Sequence, residues 1–237
     1  MTPTLEQDAP KAARILRAAR ELGLRHGFRK VTIAEIARAA GVGKGTVYLY
    51  WPSKESLVLG VCGREIVSWL DQVIDRLAEE PDCVHLRRLA PMILNSTLGH
   101  PLTRRMMTGD ADLAHVLAQR DEAREVLERT KAGAMCHAVM PVLREHGLVR
   151  DDELPESQSY ALHAVLYGFL MTLADPAAAG PLSVDDPDLI ISQVIGRLVE
   201  PDDAPDPDPA AVAAAARGTR DVFAGIREAV LGLLVAA

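Results

Sequence analysis

Cysteine is scarce in this 237-residue chain: Cys62, Cys83 and Cys136 are an odd number at unrelated spacings. That excludes a disulfide framework and the paired spacing of a zinc site. No run of 18 apolar residues occurs, so no helical membrane span and no membrane partner are expected. Met1 to Ala9 lacks the basic-then-apolar order of a secretion signal, which points to the cytoplasm. Alternating apolar and polar residues are missing too, so no β-strand is expected, and no internal repeat is present. Nor is there a His-Glu-x-x-His, a glycine-rich phosphate loop or a Gly-x-Ser-x-Gly. His115, His137 and His163 fall on different expected helices, and Cys136 and His137 would diverge by about 100° on one. The sequence therefore offers no catalytic constellation, no cofactor motif and no metal-ligand set.

What is present suits a two-part helical protein. Hydrophobic residues make up 49% of the chain, enough for a sizeable core at this length. The formal net charge of -7 conceals an uneven distribution. Residues 1–64 hold 11 Lys and Arg against 5 Asp and Glu, whereas the remainder holds 15 against 28. A basic head of this kind attracts a polyanion, and an acidic body is repelled by one, which orients the head toward it.

The most informative stretch runs from Thr32 to Lys54. Thr32 followed by Glu35 predicts a capping box, with Val31 and Ile36 as its hydrophobic staple. Ile33, Ile36, Ala37 and Ala40 recur at helical spacing and set one apolar stripe. Gly41 can take the left-handed conformation that ends the helix. Val42 reads as the buried residue of the turn, and Gly43-Lys44-Gly45-Thr46 opens a second short helix. The pattern is a helix-turn-helix. Small residues at the start of the second helix leave it free to enter a DNA groove and read base edges. Tyr48, Tyr50 and Lys54 supply donors suited to phosphates, while Val47 and Trp51 are expected to face inward. Lys11 to His26 forms the first helix of the head, ended by Gly27. Arg29 and Lys30 could reach phosphate or remain solvated.

Gly41-Val42-Gly43-Lys44-Gly45-Thr46-Val47-Tyr48-Leu49-Tyr50-Trp51-Pro52-Ser53-Lys54-Glu55-Ser56-Leu57 resembles the DNA-binding signature of the TetR/AcrR family of bacterial regulators. The resemblance covers roughly residues 11–64. It implies an all-α fold: a three-helix head over residues 1–56 and a larger helical body over 57–237 that binds ligand and dimerises. Its expected DNA-binding residues are Thr32, Lys44, Gly45, Thr46, Tyr48, Leu49, Tyr50 and Lys54. Leu49 stands where the family often has an aromatic, and an apolar side chain there could touch a thymine methyl.

Beyond the head, Ser53 with Glu55 is expected to start a long helix running to Pro81. The resemblance makes it the lever between ligand and recognition helix. Helix-compatible segments follow at about Asp82–Gly99, Leu102–Thr108, Asp110–Gly147, Pro155–Ala174, Pro187–Val199 and Pro209–Val235. Asp186-Pro187 and Asp208-Pro209 mark two of the starts, and Pro91 and Pro141 predict kinks or breaks. Methionines and scattered polar groups suggest an apolar pocket. Its candidate lining is Trp69, Met92, Asn95, Met106, Met107, His137, Met140, His163, Tyr167 and Met171. Two late apolar stripes, Leu162 to Leu173 and Val222 to Leu234, are the expected dimer surface, and Gly168 could permit close approach. The expected function is a homodimeric repressor, released from a pseudo-palindromic double-stranded DNA operator by a small apolar effector. An activator, a regulator answering a protein partner, and a helical enzyme with an appended head are the alternatives.

Overall fold

The computed structural model describes residues 10–118, 128–175, 177, 184–201 and 208–236. The expected N-terminal arm and most of the two expected loops, 175–186 and 200–209, lie outside the described residues. Among those described, every regular element is helical. The helices are α1 (Pro10–His26), α2 (Ile33–Ala39), α3 (Lys44–Tyr50), α4 (Lys54–Glu79), α5 (Leu86–Gly99), α6 (Pro101–Met107), α7 (Ala111–Leu117), α8 (Ala132–Glu145), α9 (Pro155–Ala174), α10 (Pro187–Val199) and α11 (Pro209–Ala236).

Local chemistry accounts for most of these boundaries. Thr32 and Glu35 form the expected reciprocal box: Thr32 N–H donates to the Glu35 carboxylate at 2.8 Å, and Glu35 N–H to Thr32 Oγ1 at 3.3 Å. Gly41 ends the turn of α2 at φ 66°, and Gly27 does the same for α1 at φ 82°, backbone that a side chain would strain. Asp186 accepts from Leu189 N–H at 3.0 Å, and Asp208 from Ala210 N–H at 2.9 Å.

Three expectations change. The box at the start of α4 is closed by Ser56, not Glu55: Ser56 N–H donates to Ser53 Oγ, and Ser53 N–H to Ser56 Oγ. Ser56 is wholly buried, so a short hydroxyl suits the third helical position better than a carboxylate. The single segment expected from Asp110 to Gly147 contains two helices, α7 and α8, with residues 119–127 outside the description. Pro91 and Pro141 sit inside α5 and α8 without breaking them. Each removes one backbone donor, and the helices run through because packing, not propensity, supplies most helical stability.

The chain divides into two compact units. The first is drawn from Met1–Ser68, Pro101–Glu128 and Arg227–Ala237, the second from Trp69–His100 and Arg129–Ile226. The core of the first unit joins Ile15, Ala19, Phe28, Ile36 and Val47 of the three-helix head to Leu57 and Val61 of α4, Leu102 of α6, Leu113 and Leu117 of α7, and Leu233 of α11. Burial at this scale contributes roughly 25 cal/mol per Å² of apolar surface. It is therefore the main force holding α3, which at seven residues is too short to persist alone. In the second unit α5 packs on α10, and α8 on α9. Trp69 meets Phe223 edge-on with ring centroids 6.3 Å apart. Glu200, 2% exposed, is paired with the Arg87 guanidinium and accepts Arg87 N–H at 2.9 Å, so its buried charge is compensated.

Candidate nucleic-acid interface

The three-helix head holds α3 with one face down and one face out. Val47 is fully buried, and Trp51 N–H closes the last turn onto the Val47 carbonyl at 2.9 Å. On the opposite side Lys44, Gly45, Tyr48 and Leu49 are exposed, Leu49 by 80% and Tyr48 by 44%. Lys44 Nζ lies 5.9 Å from the centre of the Tyr48 ring, so the cation and the phenol form one patch. No Cβ clash would arise at Gly45, whose surroundings are open within 4 Å. A face like this can approach a groove floor and offer a cation, a phenol and an apolar side chain to base edges and phosphates.

The other expected contacts play different local parts. Thr46 is half-buried. Tyr50 is half-buried and packs on the core with Trp51, their rings 5.7 Å apart. Trp51 and Val42 are only partly covered instead of fully inside. Lys54 is half-buried, and its Nζ donates to the Arg29 carbonyl at 3.0 Å, tying the start of α4 to the turn after α1. Thr32 is exposed, with its hydroxyl engaged by Glu35 at 2.8 Å. The Glu35 carboxyl is held below its ordinary value, first by the Thr32 N–H and then by the Thr32 hydroxyl. Arg29 and Lys30 are exposed on the same head.

Sequence reading missed the groups that brace this head. Glu65, 8% exposed within the apolar stripe of α4, accepts from the Leu102 and Thr103 N–H groups at the start of α6 and from Arg20 Nε at 2.7 Å. Asp112 of α7 accepts Arg29 N–H at 3.2 Å, and Arg105 of α6 donates to the Leu24 carbonyl at 3.1 Å. These bonds tie α6 and α7 to α1 and the turn that follows it. Their partners are 37 to 83 residues apart, which no local pattern reports; the one available signal was a lone carboxylate in an apolar stripe.

The ten expected pocket residues differ in their settings. Met106 packs against the core of the first unit, and Met107 belongs to that unit as well. The other eight are in the second unit, and their exposures differ. Trp69 and Met140 are buried, and Met92 and His163 are half-buried. Asn95 and His137 are exposed, and Asn95 Nδ2 donates to Asp188 at 2.8 Å. Tyr167 and Met171 lie 39% and 42% exposed on α9. Among the described residues no group of three or more His, Cys, Asp or Glu is placed to hold a metal, and no helix is long and apolar enough to cross a membrane.

The family of this head is decided by its sequence profile: that of the bacterial regulatory proteins of the tetR family matches residues 15–61. This head is that of the tetR family. It is similar to the uncharacterized HTH-type transcriptional regulator YvdT of Bacillus subtilis, 35% identical over 77 residues that make up 32% of this chain and 40% of that protein. EthR of Mycolicibacterium smegmatis, another HTH-type transcriptional regulator, is 29% identical over 101 residues, 41% of this chain and 46% of that one. The chain thus aligns with less than half the length of these TetR-like relatives. In structure it resembles NalD, the secondary repressor of the MexAB-OprM multidrug efflux pump in Pseudomonas aeruginosa. The TM-score is 0.56 at 25% identity, over 80% of this chain and 95% of that one.

Proposed function

We propose that the chain is a homodimeric DNA-binding transcriptional repressor, released from its operator by a small, largely apolar molecule taken up by the body. The observation that carries the DNA reading is the outward face of α3, where Lys44, Gly45, Tyr48 and Leu49 stand free above a buried Val47. The positive surplus of residues 1–64 supports it. NalD, alike in fold, is a repressor, which supports the sign of regulation.

The dimer surface differs from the one that the late apolar stripes suggest. Phe223, Ile226, Val230 and Leu233 of α11 are buried within the chain. Tyr160, Ala164, Tyr167, Gly168 and Met171 instead form one exposed stripe on α9, and α10 exposes Leu189, Ile190 and Val194. Nothing lies within 4 Å of where a Cβ on Gly168 would sit, which suits close approach of a second copy. Two copies joined by a two-fold axis require half-sites about one helical turn apart, or a multiple of it.

The test is fluorescence anisotropy with an operator selected from random duplexes by the full-length protein. The slope of log affinity against log salt is expected near -0.9 for each phosphate neutralised, and the selected site is expected to be pseudo-palindromic. Weak binding to all duplexes with no selected site would overturn the reading.

A further inference from the structure

The polar groups of the second unit that are buried without a hydrogen-bond partner include the indole N–H of Trp69, the hydroxyl of Thr219 and Nε of Arg220. Trp69 is 1% exposed and Thr219 fully buried. They are neighbours. The Trp69 ring rests edge-on against Phe223, and Thr219 and Arg220 precede Phe223 by four and three residues on α11, which puts them on its face one turn away. His163 Nδ1, also unpartnered, stands against Gly133 in the first turn of α8. Gly218, beside Thr219, meets Val142 nine residues further along α8, about 13 Å away, so His163 is not part of the cluster.

A buried polar group left unmatched is destabilising, and its replacement by an apolar group of the same shape removes that penalty. Valine at 219 would fill nearly the same space as threonine. Two such groups adjacent on α11, one turn from the ring on which the third residue packs, therefore call for a complement. Its chemistry follows from the donors. Indole N–H and guanidinium Nε only donate, and a hydroxyl can donate as well, so the complement must accept. The guanidinium charge favours an anionic acceptor, while Phe223 and the surrounding interior favour an apolar remainder.

We propose that Trp69, Thr219 and Arg220 form the polar end of a ligand site in the body, which takes an apolar molecule ending in a carboxylate. This rests on the reading that the body takes up a small molecule, and it names the class of that molecule.

The test uses full-length protein, decanoate as probe and decyltrimethylammonium as the control of equal chain length without an acceptor. Calorimetric titration of the parent is expected to show saturable decanoate binding and none of the control. Thr219→Val and Trp69→Phe are expected to bind decanoate about tenfold more weakly, with Thr219→Val melting at or above the temperature of the parent. Absence of decanoate binding to the parent would overturn the proposal, as would equal affinities in parent and variants. A Thr219→Val variant that melts lower than the parent would overturn it too, by assigning the hydroxyl to a buried water or to structure. The two readings fail separately. Release of operator DNA by the control alone would keep small-molecule sensing and sink the carboxylate site; decanoate binding that leaves operator affinity unchanged would do the reverse.

Discussion

Helices α3 and α9 each leave a long face uncovered, and the two faces are furnished in opposite ways. The face of α3 carries a cation, a phenol, a bare glycine and one leucine, and it belongs to the part of the chain with surplus positive charge. The face of α9 carries two tyrosines, a methionine and small residues, and from Ser157 to Ala174 there is no Asp, Glu, Lys or Arg. A polyanion is met by cations and donors on a surface that stays solvated when free. A second copy of an apolar stripe is met by surface that gains from leaving water. The helices also differ in what holds them. α9 has 20 residues, whereas the seven of α3 depend on the core beneath and on the ties made by Glu65, Asp112 and Lys54.

The largest effect is expected from removing the support under α3. Phe28 is 1% exposed, and its ring would lie 2.3 Å from a Cβ on Gly23, so α1 and the turn after it are packed to contact. Phe28→Ala is expected to cost about 3–5 kcal/mol in denaturant unfolding of the head, and operator binding should fall with it while self-association persists. Loss of both together would show that the two faces share one support.

Next comes a charge on each face. Asp in place of Tyr167 would be carried into the proposed dimer contact unpaired, and sedimentation velocity is expected to show dimer affinity lowered by about 100-fold or more. Leu49→Asp should leave association unchanged and abolish operator binding. Equal association of the two variants would break the contrast between the faces.

Within the α3 face, Lys44→Ala is expected to weaken operator binding by about 1–3 kcal/mol and relax base preference, whereas Tyr48→Ala weakens binding to all sequences alike. Lys54→Ala, in contrast, should act through the turn it ties, lowering stability as well as affinity. Melting curves beside anisotropy titrations separate the two kinds of effect.

The smallest effect is at the cap of α2. Thr32→Ala is expected to cost about 1 kcal/mol, measured by chemical denaturation. The sign with pH follows from Glu35. Its folded value is depressed below the ordinary 4.5, so its contribution is complete above that value and is lost as pH falls through the folded one. The difference between the parent and Glu35→Gln should therefore shrink as the pH is lowered below about 4.5, and a constant difference would remove the box from the account.

Much of the fold was legible because it is set by neighbours in sequence. The capping box at Thr32, the left-handed glycines at 27 and 41 and the Asp-Pro starts of α10 and α11 all involve groups within a few residues of each other, so spacing alone determined them. The inward Val47 and the outward Lys44 followed for the same reason. Tertiary structure decided which apolar stripes were left over. The late stripes of α9 and α11 look alike in sequence, yet Phe223 is buried against Trp69 and Tyr167 stays 39% exposed, because burial depends on where a distant helix lies and not on the pattern of the helix itself. It also decided that Glu65 is a brace, Lys54 a tie and Met106 part of the first core. Each of these roles is fixed by a partner dozens of residues away, and periodicity carries no information over that distance.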